Sequence, residues 1–328
     1  MSKRKIIFRA DGGKEVGMGH FIRTLALAEM LNDFFYCIFA IQKPSKYQIS
    51  EIKNICNEWL PLPDDETHSD VFLNYLKGDE IVVLDNYYFS TDYQRTIRAK
   101  GCKLVCIDDI HDKHYVADIV INHAEGLYPS LYSSESYTKI LLGYKYALLR
   151  KEYLTIQKLK PKYKYSCLLM MGGSDPLKLT IKFASILNNL SEPIAVVVGA
   201  GFEEDQDILQ LDNIVLFKGI ASSHVKQIMQ ESIFGILPAS TVSVEACAAR
   251  LPFICGYFVN NQKEIYSGIK KGQLAVCVGN FLTLKKEKLI AAIEEIRNPI
   301  ILENIKQKQI EKLDKKSKKR FLKEFQTL

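Results

Sequence analysis

The chain is 328 residues long, 47% hydrophobic and 25% charged, which predicts a globular protein with a sizeable core and favours two domains over one. Its formal net charge of +6 is concentrated near the end: from Glu303 onward the basic excess is +5, leaving about +1 for everything before it. That near-neutral body argues against nucleic-acid binding. The three-residue apolar run in MSKRKIIFRAD is too short for a signal-peptide core, and nothing approaches the roughly 18 apolar residues of a membrane span.

In chain order the pattern alternates. KIIFRA reads as a strand, HFIRTLALAEMLND as a helix with apolar residues at three- and four-residue spacing, and FFYCIFAI as the next strand. A helical stretch around YQISEIKNICNEW follows, then the strand EIVVLDN, the helix YQRTIRAKG closed by Gly101, and the strands CKLVCIDD and ADIVINH. Short apolar runs separated by helices predict a parallel sheet covered on both faces. After the lysine-rich stretch KYALLRKEYLTIQKLKPKYK, taken as a linker with a hinge in 150–163, the pattern restarts. YSCLLMM, IAVVVGA, NIVLFKG, IFGILPA, PFICGYF and LAVCVG read as strands. The expectation is an α/β protein of two doubly wound domains facing a cleft. The tail KLDKKSKKRFLKEF reads as an amphipathic helix with a solvated basic face, and contact with an anionic membrane surface is the alternative. The eight cysteines include no C-x-x-C pair. Cys102, Cys106, Cys167, Cys255 and Cys277 lie in strand-like runs, which predicts reduced thiols in a cytoplasmic protein.

Three turns carry candidate chemistry. In VGMGHFIRTLALA, Gly17 and Gly19 follow the first strand and lead into His20, with Arg23 at helical spacing. Ligands bind outside the carboxyl ends of strands in such sheets, and a helix N-terminus favours negative charge. A dinucleotide fingerprint fails because Ile22 stands where the third glycine belongs. A tight connection with a helix-capping histidine would leave the same pattern. In MMGGSDPLK, Gly172 and Gly173 precede a helix that Ser174 or Asp175 can cap and Pro176 can open, a suitable cradle for phosphate. The lysine and hydroxyl of a P-loop are missing, which disfavours an ATPase. In PASTVSVEACA, Ser240, Thr241 and Ser243 crowd a strand-to-helix turn, with Glu245 in the first turn or two. Hydroxyls there can hold a diphosphate and the carboxylate a ribose, or the group is simply a capped helix. Asp85, Asp108 and Asp109 end strands, where both catalytic and helix-capping aspartates gather. HDKH at 111–114 is too sparse to predict a metal site.

With these motifs in order, RADGGKEVGMGHFIRTLALA, VVLDNYYF, CIDD, ADIVIN, GYKYALLRKEY, MMGGSD, ASTVSVEA and VNNQ together resemble the PseG family of UDP-sugar hydrolases in pseudaminic acid biosynthesis. GGSD and SVEA are shared more widely with GT-B glycosyltransferases such as MurG. The resemblance implies a GT-B fold of two Rossmann-like domains, spanning 1–150 and 164–285, with a helical tail 286–328 packing back on the first. It implies hydrolysis of a UDP-linked diacetamido-trideoxy sugar at the anomeric carbon by inversion, with His20 catalytic, no cofactor and no metal. Asp11, Gly17, Gly19, Arg23, Tyr87, Asn261 and Gln262 become candidate sugar contacts, and Gly172, Gly173, Ser240, Ser243 and Glu245 candidate UDP contacts. The implied partner is the UDP-sugar, with neither nucleic acid nor stable membrane insertion. Two departures bear on the identity of the sugar: LDKKSKKR lacks the glycines of longer members, and His123 replaces a more usual asparagine-rich loop. A glycosyltransferase or a non-catalytic nucleotide-sugar-binding protein is the alternative.

Overall fold

The computed structural model describes residues 3–13, 17–155, 162–173, 175, 177–190, 192–202, 208 and 210–328, which form two units, Met1–Lys151 with Lys316–Leu328, and Glu152–Lys315. Residues 156–161 of the expected linker, together with Ser174 and Pro176, lie outside the described residues.

The first unit holds β1 (Lys5–Ala10), α1 (Gly19–Leu31), β2 (Tyr36–Gln42), α2 (Lys46–Ile55), β3 (Glu58–Leu62), α3 (His68–Tyr75), β4 (Ile81–Asp85), α4 (Thr91–Ala99) and β5 (Lys103–Ile107). β6 (His114–Tyr115) and β8 (Ser133–Ser134) form a separate pair, while β7 (Ile119–Asn122) and β9 (Lys139–Leu142) complete the main sheet. That sheet is parallel throughout, in the order β3-β2-β1-β4-β5-β7-β9. β1 pairs Ile6 with Cys37 on one side and with Ile81 on the other. The order therefore reverses between β1 and β4, and the crevice beyond their carboxyl ends is where such sheets bind ligands.

Ile6, Ile7 and Phe8 are buried in succession, as a strand covered on both faces requires. Phe21 of α1 meets Phe39 edge-on at 5.5 Å, and Phe8 stacks on Phe39 at 6.4 Å. Each such side chain contributes about 2–3 kcal/mol by leaving water. This packing ties α1, and with it His20, to the middle of the sheet.

The second unit begins with α5 (Lys151–Leu154), whose first residue belongs to the first unit, and continues with β10 (Tyr165–Leu169), α6 (Leu179–Leu187), β11 (Ile194–Val198) and β12 (Ile214–Lys218). Next come α7 (Ser222–Glu231), β13 (Ser232–Pro238), α8 (Thr241–Ala249), β14 (Phe253–Tyr257), α9 (Lys263–Lys271) and β15 (Val276–Asn280). α10 (Lys286–Arg297) and α11 (Pro299–Lys312) close the unit. Its parallel sheet runs β12-β11-β10-β13-β14-β15, with the same reversal, here between β10 and β13.

The C-terminal segment divides. Leu289, Ile293, Ile296 and Ile305 join the core of the second unit, with Ile301 packed against it. Beyond Lys315 the chain belongs to the first unit, where α12 (Ser317–Gln326) buries Phe321 and Phe325 completely. Phe325 meets Phe35 at 6.5 Å and Phe321 meets Tyr146 at 5.6 Å. Part of the basic face of this helix is paired: Lys318 with Asp33 at 2.8 Å, and Arg320 donating to the Lys145 carbonyl at 3.0 Å.

Candidate active site and nucleotide-binding turns

His20 is the second residue of α1 and is almost fully buried. Gly17, at φ +78°, turns the loop into the helix through a conformation that disfavours side chains, and bridges to Gly13 through two backbone hydrogen bonds. The chain then places the imidazole over the carboxyl end of β4. Its Nδ1 lies 2.6 Å from Asp85 Oδ1, and its ring meets Tyr87 edge-on at 4.7 Å.

Asp85 is fully buried and receives four donors. Besides His20 these are Arg23 Nε at 2.7 Å, Arg23 Nη2 at 2.6 Å and Thr24 Oγ1 at 2.7 Å. Burial would raise its carboxyl, but the charges and hydrogen bonds of Arg23 and His20 outweigh that and hold it well below the usual carboxylate range. An ionised Asp85 can only accept, so the proton of the 2.6 Å bond belongs to His20 Nδ1. In a neutral ring the lone pair is then on Nε2, for which no described residue supplies a partner. A histidine so oriented can take a proton from water, the arrangement of a general base with its orienting carboxylate.

Arg23 is held by carboxylates: two bonds to Asp85 and one from Nη1 to Asp109 Oδ2 at 2.8 Å. Its guanidinium therefore positions the aspartates. Tyr87 OH donates to the same Asp109 Oδ2 at 3.2 Å. Asp109 Oδ1 and Asn86 Nδ2 are buried with no partner among the described residues, and both residues line a recess with His20, Tyr87, Asp108 and Lys113. Burial and the charge of Arg23 push buried His123 down to about 4, which keeps it neutral beside this cluster. Its Nδ1 accepts from the Leu148 backbone N–H at 3.3 Å.

Asp11 is anchored rather than open. It accepts from Arg9 Nη1 at 2.5 Å, the Gln42 backbone N–H at 2.9 Å and Tyr88 OH at 2.6 Å. Burial raises its carboxyl, but Arg9 prevails and leaves it lowered. The fully buried Arg9 also donates to Gln42 Oε1 and Tyr88 OH, and lies 3.3 Å from His68 Nδ1. Gly19 opens α1 immediately before His20.

In the second unit, Gly172 (φ +113°) and Gly173 follow β10. A Cβ on Gly199 would come within 2.2 Å of the Gly173 carbonyl, so the two loops touch through bare backbone. Asp175 accepts from Leu179 N–H at 3.0 Å and Thr180 N–H at 2.6 Å, occupying the N-terminus of α6 that the sequence reading offered to a phosphate. α8 differs. Its N-cap, Ser240, makes no side-chain capping bond, and Ser243 Oγ donates back to the Ser240 carbonyl at 2.7 Å. Ser243 and Glu245 are both buried on this helix. Asn261 and Gln262 form a short 3-10 turn before α9, where Gln262 Oε1 accepts from the Phe258 backbone N–H at 2.9 Å, a bond that shapes the turn. His111 and His114 diverge: His111 packs on Tyr132, while His114 bonds Ser133 and Glu135.

Comparisons with known proteins bear on the fold and on the sequence as a whole. Solved structures superpose along nearly the whole chain: MurG of Acinetobacter baumannii at a TM-score of 0.69 and 13% identity, covering 99% of this chain and all of that one. UGT89C1 of Arabidopsis thaliana follows at 0.68 and 13%, covering 99% and 98%, and the calicheamicin glycosyltransferase CalG4 at 0.66 and 12%, covering 100% and 98%. The fold is GT-B. By sequence, the chain is 27% identical over 285 residues to the UDP-2,4-diacetamido-2,4,6-trideoxy-beta-L-altropyranose hydrolase of Campylobacter jejuni, spanning 81% of this chain and 96% of that one. It is 28% identical over 287 residues to an uncharacterised protein of Methanocaldococcus jannaschii, again 81% of this chain but 58% of the other's length. No family model matches. The expected resemblance to UDP-sugar hydrolases on a GT-B fold therefore stands.

Proposed function

We propose that this protein hydrolyses a UDP-linked diacetamido-trideoxy sugar, releasing UDP and the free sugar for pseudaminic acid synthesis. The observation that carries the reading is the 2.6 Å pairing of His20 Nδ1 with buried, ionised Asp85, which leaves Nε2 as a base where the strand order reverses. The 27% identity to a hydrolase of that name supports the substrate class.

In this account His20 Nε2 takes a proton from water as its oxygen attacks the anomeric carbon. The bond from that carbon to the diphosphate oxygen breaks, UDP leaves with the electron pair, and the anomeric centre inverts. Asp85 fixes the tautomer and steadies the charge that the ring acquires, and Arg23 and Thr24 hold Asp85. The N-terminus of α8 with Ser240 and Ser243 receives the diphosphate, Gly172 and Gly173 let backbone approach it, and Glu245 takes the ribose. Tyr87 and Asn261 contact the sugar, with Gln262 holding the turn that presents Asn261.

His20→Asn is expected to lower turnover of the UDP-sugar by roughly a hundredfold or more with UDP affinity little changed. Near-normal turnover by the folded variant defeats the assignment of the base. Transfer to an acceptor is the second reading, favoured by the glycosyltransferases among the structural neighbours. Supplying UDP-sugar with no acceptor separates the two, because hydrolysis alone then yields free sugar and UDP in equal amounts.

A further inference from the structure

Two thiols in the second unit are arranged for chemistry that the hydrolase reading does not use. Cys255 of β14 and Cys277 of β15 are register partners on adjacent parallel strands, and the register shifts immediately afterwards, pairing Gly256 with Gly279. Neighbouring strands run about 4.8 Å apart, inside the Cα separation of roughly 4.4–6.8 Å that a disulfide spans. Ile254 and Val276, the residues just before each cysteine, point into the core that also holds Ile293 and Ile296. Alternation therefore turns both thiols to the opposite face of the sheet. There both thiols lie near Tyr266 of α9, which meets Tyr257 at 5.1 Å, and Cys255 Sγ points its proton toward the Gly256 carbonyl at 3.9 Å.

The environments of the two sulfurs differ in the way a reacting pair requires. Of the eight cysteines, Cys277 is the one that is not buried. The neighbouring Cys255 thiol, with Lys270 and Tyr266, outweighs burial and holds the Cys277 thiol below its ordinary value. Burial pushes Cys37 up to about 12 and Cys102 up to about 11, and raises Cys56, Cys106, Cys167 and Cys255 as well. Cys255 is thus a buried thiol paired across the strands with a partly exposed, thiolate-prone one.

We propose that Cys255 and Cys277 form a reversible dithiol–disulfide site that reacts with hydroperoxides, Cys277 as the attacking thiolate and Cys255 as the resolving thiol. Cys277 Sγ attacks one peroxide oxygen, the O–O bond breaks, and the departing oxygen takes a proton to become water, leaving a sulfenic acid. Cys255 Sγ then attacks Cys277 Sγ. The S–S bond forms, the S–O bond breaks, and the Cys255 proton leaves with the hydroxide as a second water. Two thiols and one hydrogen peroxide give one disulfide and two waters, and an external dithiol reverses the step.

The test treats the full-length reduced protein with a few-fold excess of hydrogen peroxide, quenches, unfolds, alkylates the remaining thiols and maps the peptides by mass spectrometry. The expected result is a linked peptide pair containing Cys255 and Cys277, with six thiols still alkylated and all eight recovered after dithiothreitol. In Cys255→Ser, Cys277 should give a dimedone adduct and no linked pair. Full alkylation of all eight thiols, oxidation falling first on another cysteine, or Cys277 passing to the sulfinic acid in the wild type with no linked pair would each overturn the proposal. The wild-type peptide map decides even where the variant does not fold.

Discussion

Replacing Asp85 with asparagine tests the core of the site at nearly constant shape. The carboxylate satisfies four donors with two oxygens, and asparagine offers one oxygen and an N–H2 group. If the amide oxygen keeps Arg23 Nε and Thr24, the N–H2 faces His20 Nδ1, which must then become the acceptor. The ring proton moves to Nε2, and the lone pair that should receive the proton from water is gone. Loss of the correct tautomer in a histidine–aspartate pair costs about 10⁴-fold in turnover. Arg23 also loses a full charge partner but keeps Asp109 at 2.8 Å, so the stability cost falls near the lower end of that for breaking a buried pair, about 3 kcal/mol. At roughly 2–4 °C per kcal/mol, that is a drop of about 6–12 °C in Tm for a unit of this size. Turnover is read from UDP release, well below the Tm of the variant and with circular dichroism to show that it is folded. A folded Asp85→Asn protein within tenfold of wild-type kcat would show that Asp85 does not set the tautomer of His20.

Other outcomes follow from the same geometry. Glu245→Ala should weaken UDP binding in calorimetry while leaving the second unit folded, and unchanged affinity counts against the ribose assignment. His123, buried and pushed down to about 4, binds its proton less readily folded than unfolded. Its contribution to stability is complete above the unfolded value near 6.5 and is lost as pH falls toward 4, by about 2–3 kcal/mol, whereas that of Asp85 is lost at still lower pH. Denaturant titrations between pH 4 and 7 should therefore show a shallower pH dependence in His123→Gln than in the wild type. Removing residues 316–328 takes Phe321 and Phe325 out of the first unit, each worth about 3–5 kcal/mol, and should lower its melting temperature sharply while UDP binding by the second unit persists. An unchanged melting curve contradicts that role for α12.

Local pattern carried the parallel sheets, because alternating apolar runs and helices are set by nearest neighbours: KIIFRA, EIVVLDN and IAVVVGA each form a strand where the pattern places one. Spacing also marked His20, since the glycine turn, the strand end and the helix start all lie within a few residues of it. Its partner was harder to see. Asp85 is 65 positions away, and only the adjacency of β1 and β4 brings it to the ring. Arg23 shows the converse: helical spacing from His20 is visible in sequence, but the two aspartates that claim its guanidinium arrive from different strand ends. Arg9 could not be anticipated, because a charged residue inside a strand reads as an exposed position until Asp11, Gln42 and Tyr88 are seen around it. At GGSD the chemistry was legible but not the allocation. Asp175 can cap a helix or leave its N–H groups to a phosphate, and it takes the first option.

Turnover in ¹⁸O-labelled water reads out water attack at the anomeric carbon with loss of UDP. The reaction uses a panel of UDP-linked amino sugars with no added acceptor, and nuclear magnetic resonance follows the first-formed anomer. One substrate should be consumed, with label in the free sugar and none in UDP, and an initial product of inverted configuration. Label in the UDP phosphate, a retained anomer, or no free sugar until an acceptor is supplied would contradict the proposed hydrolysis.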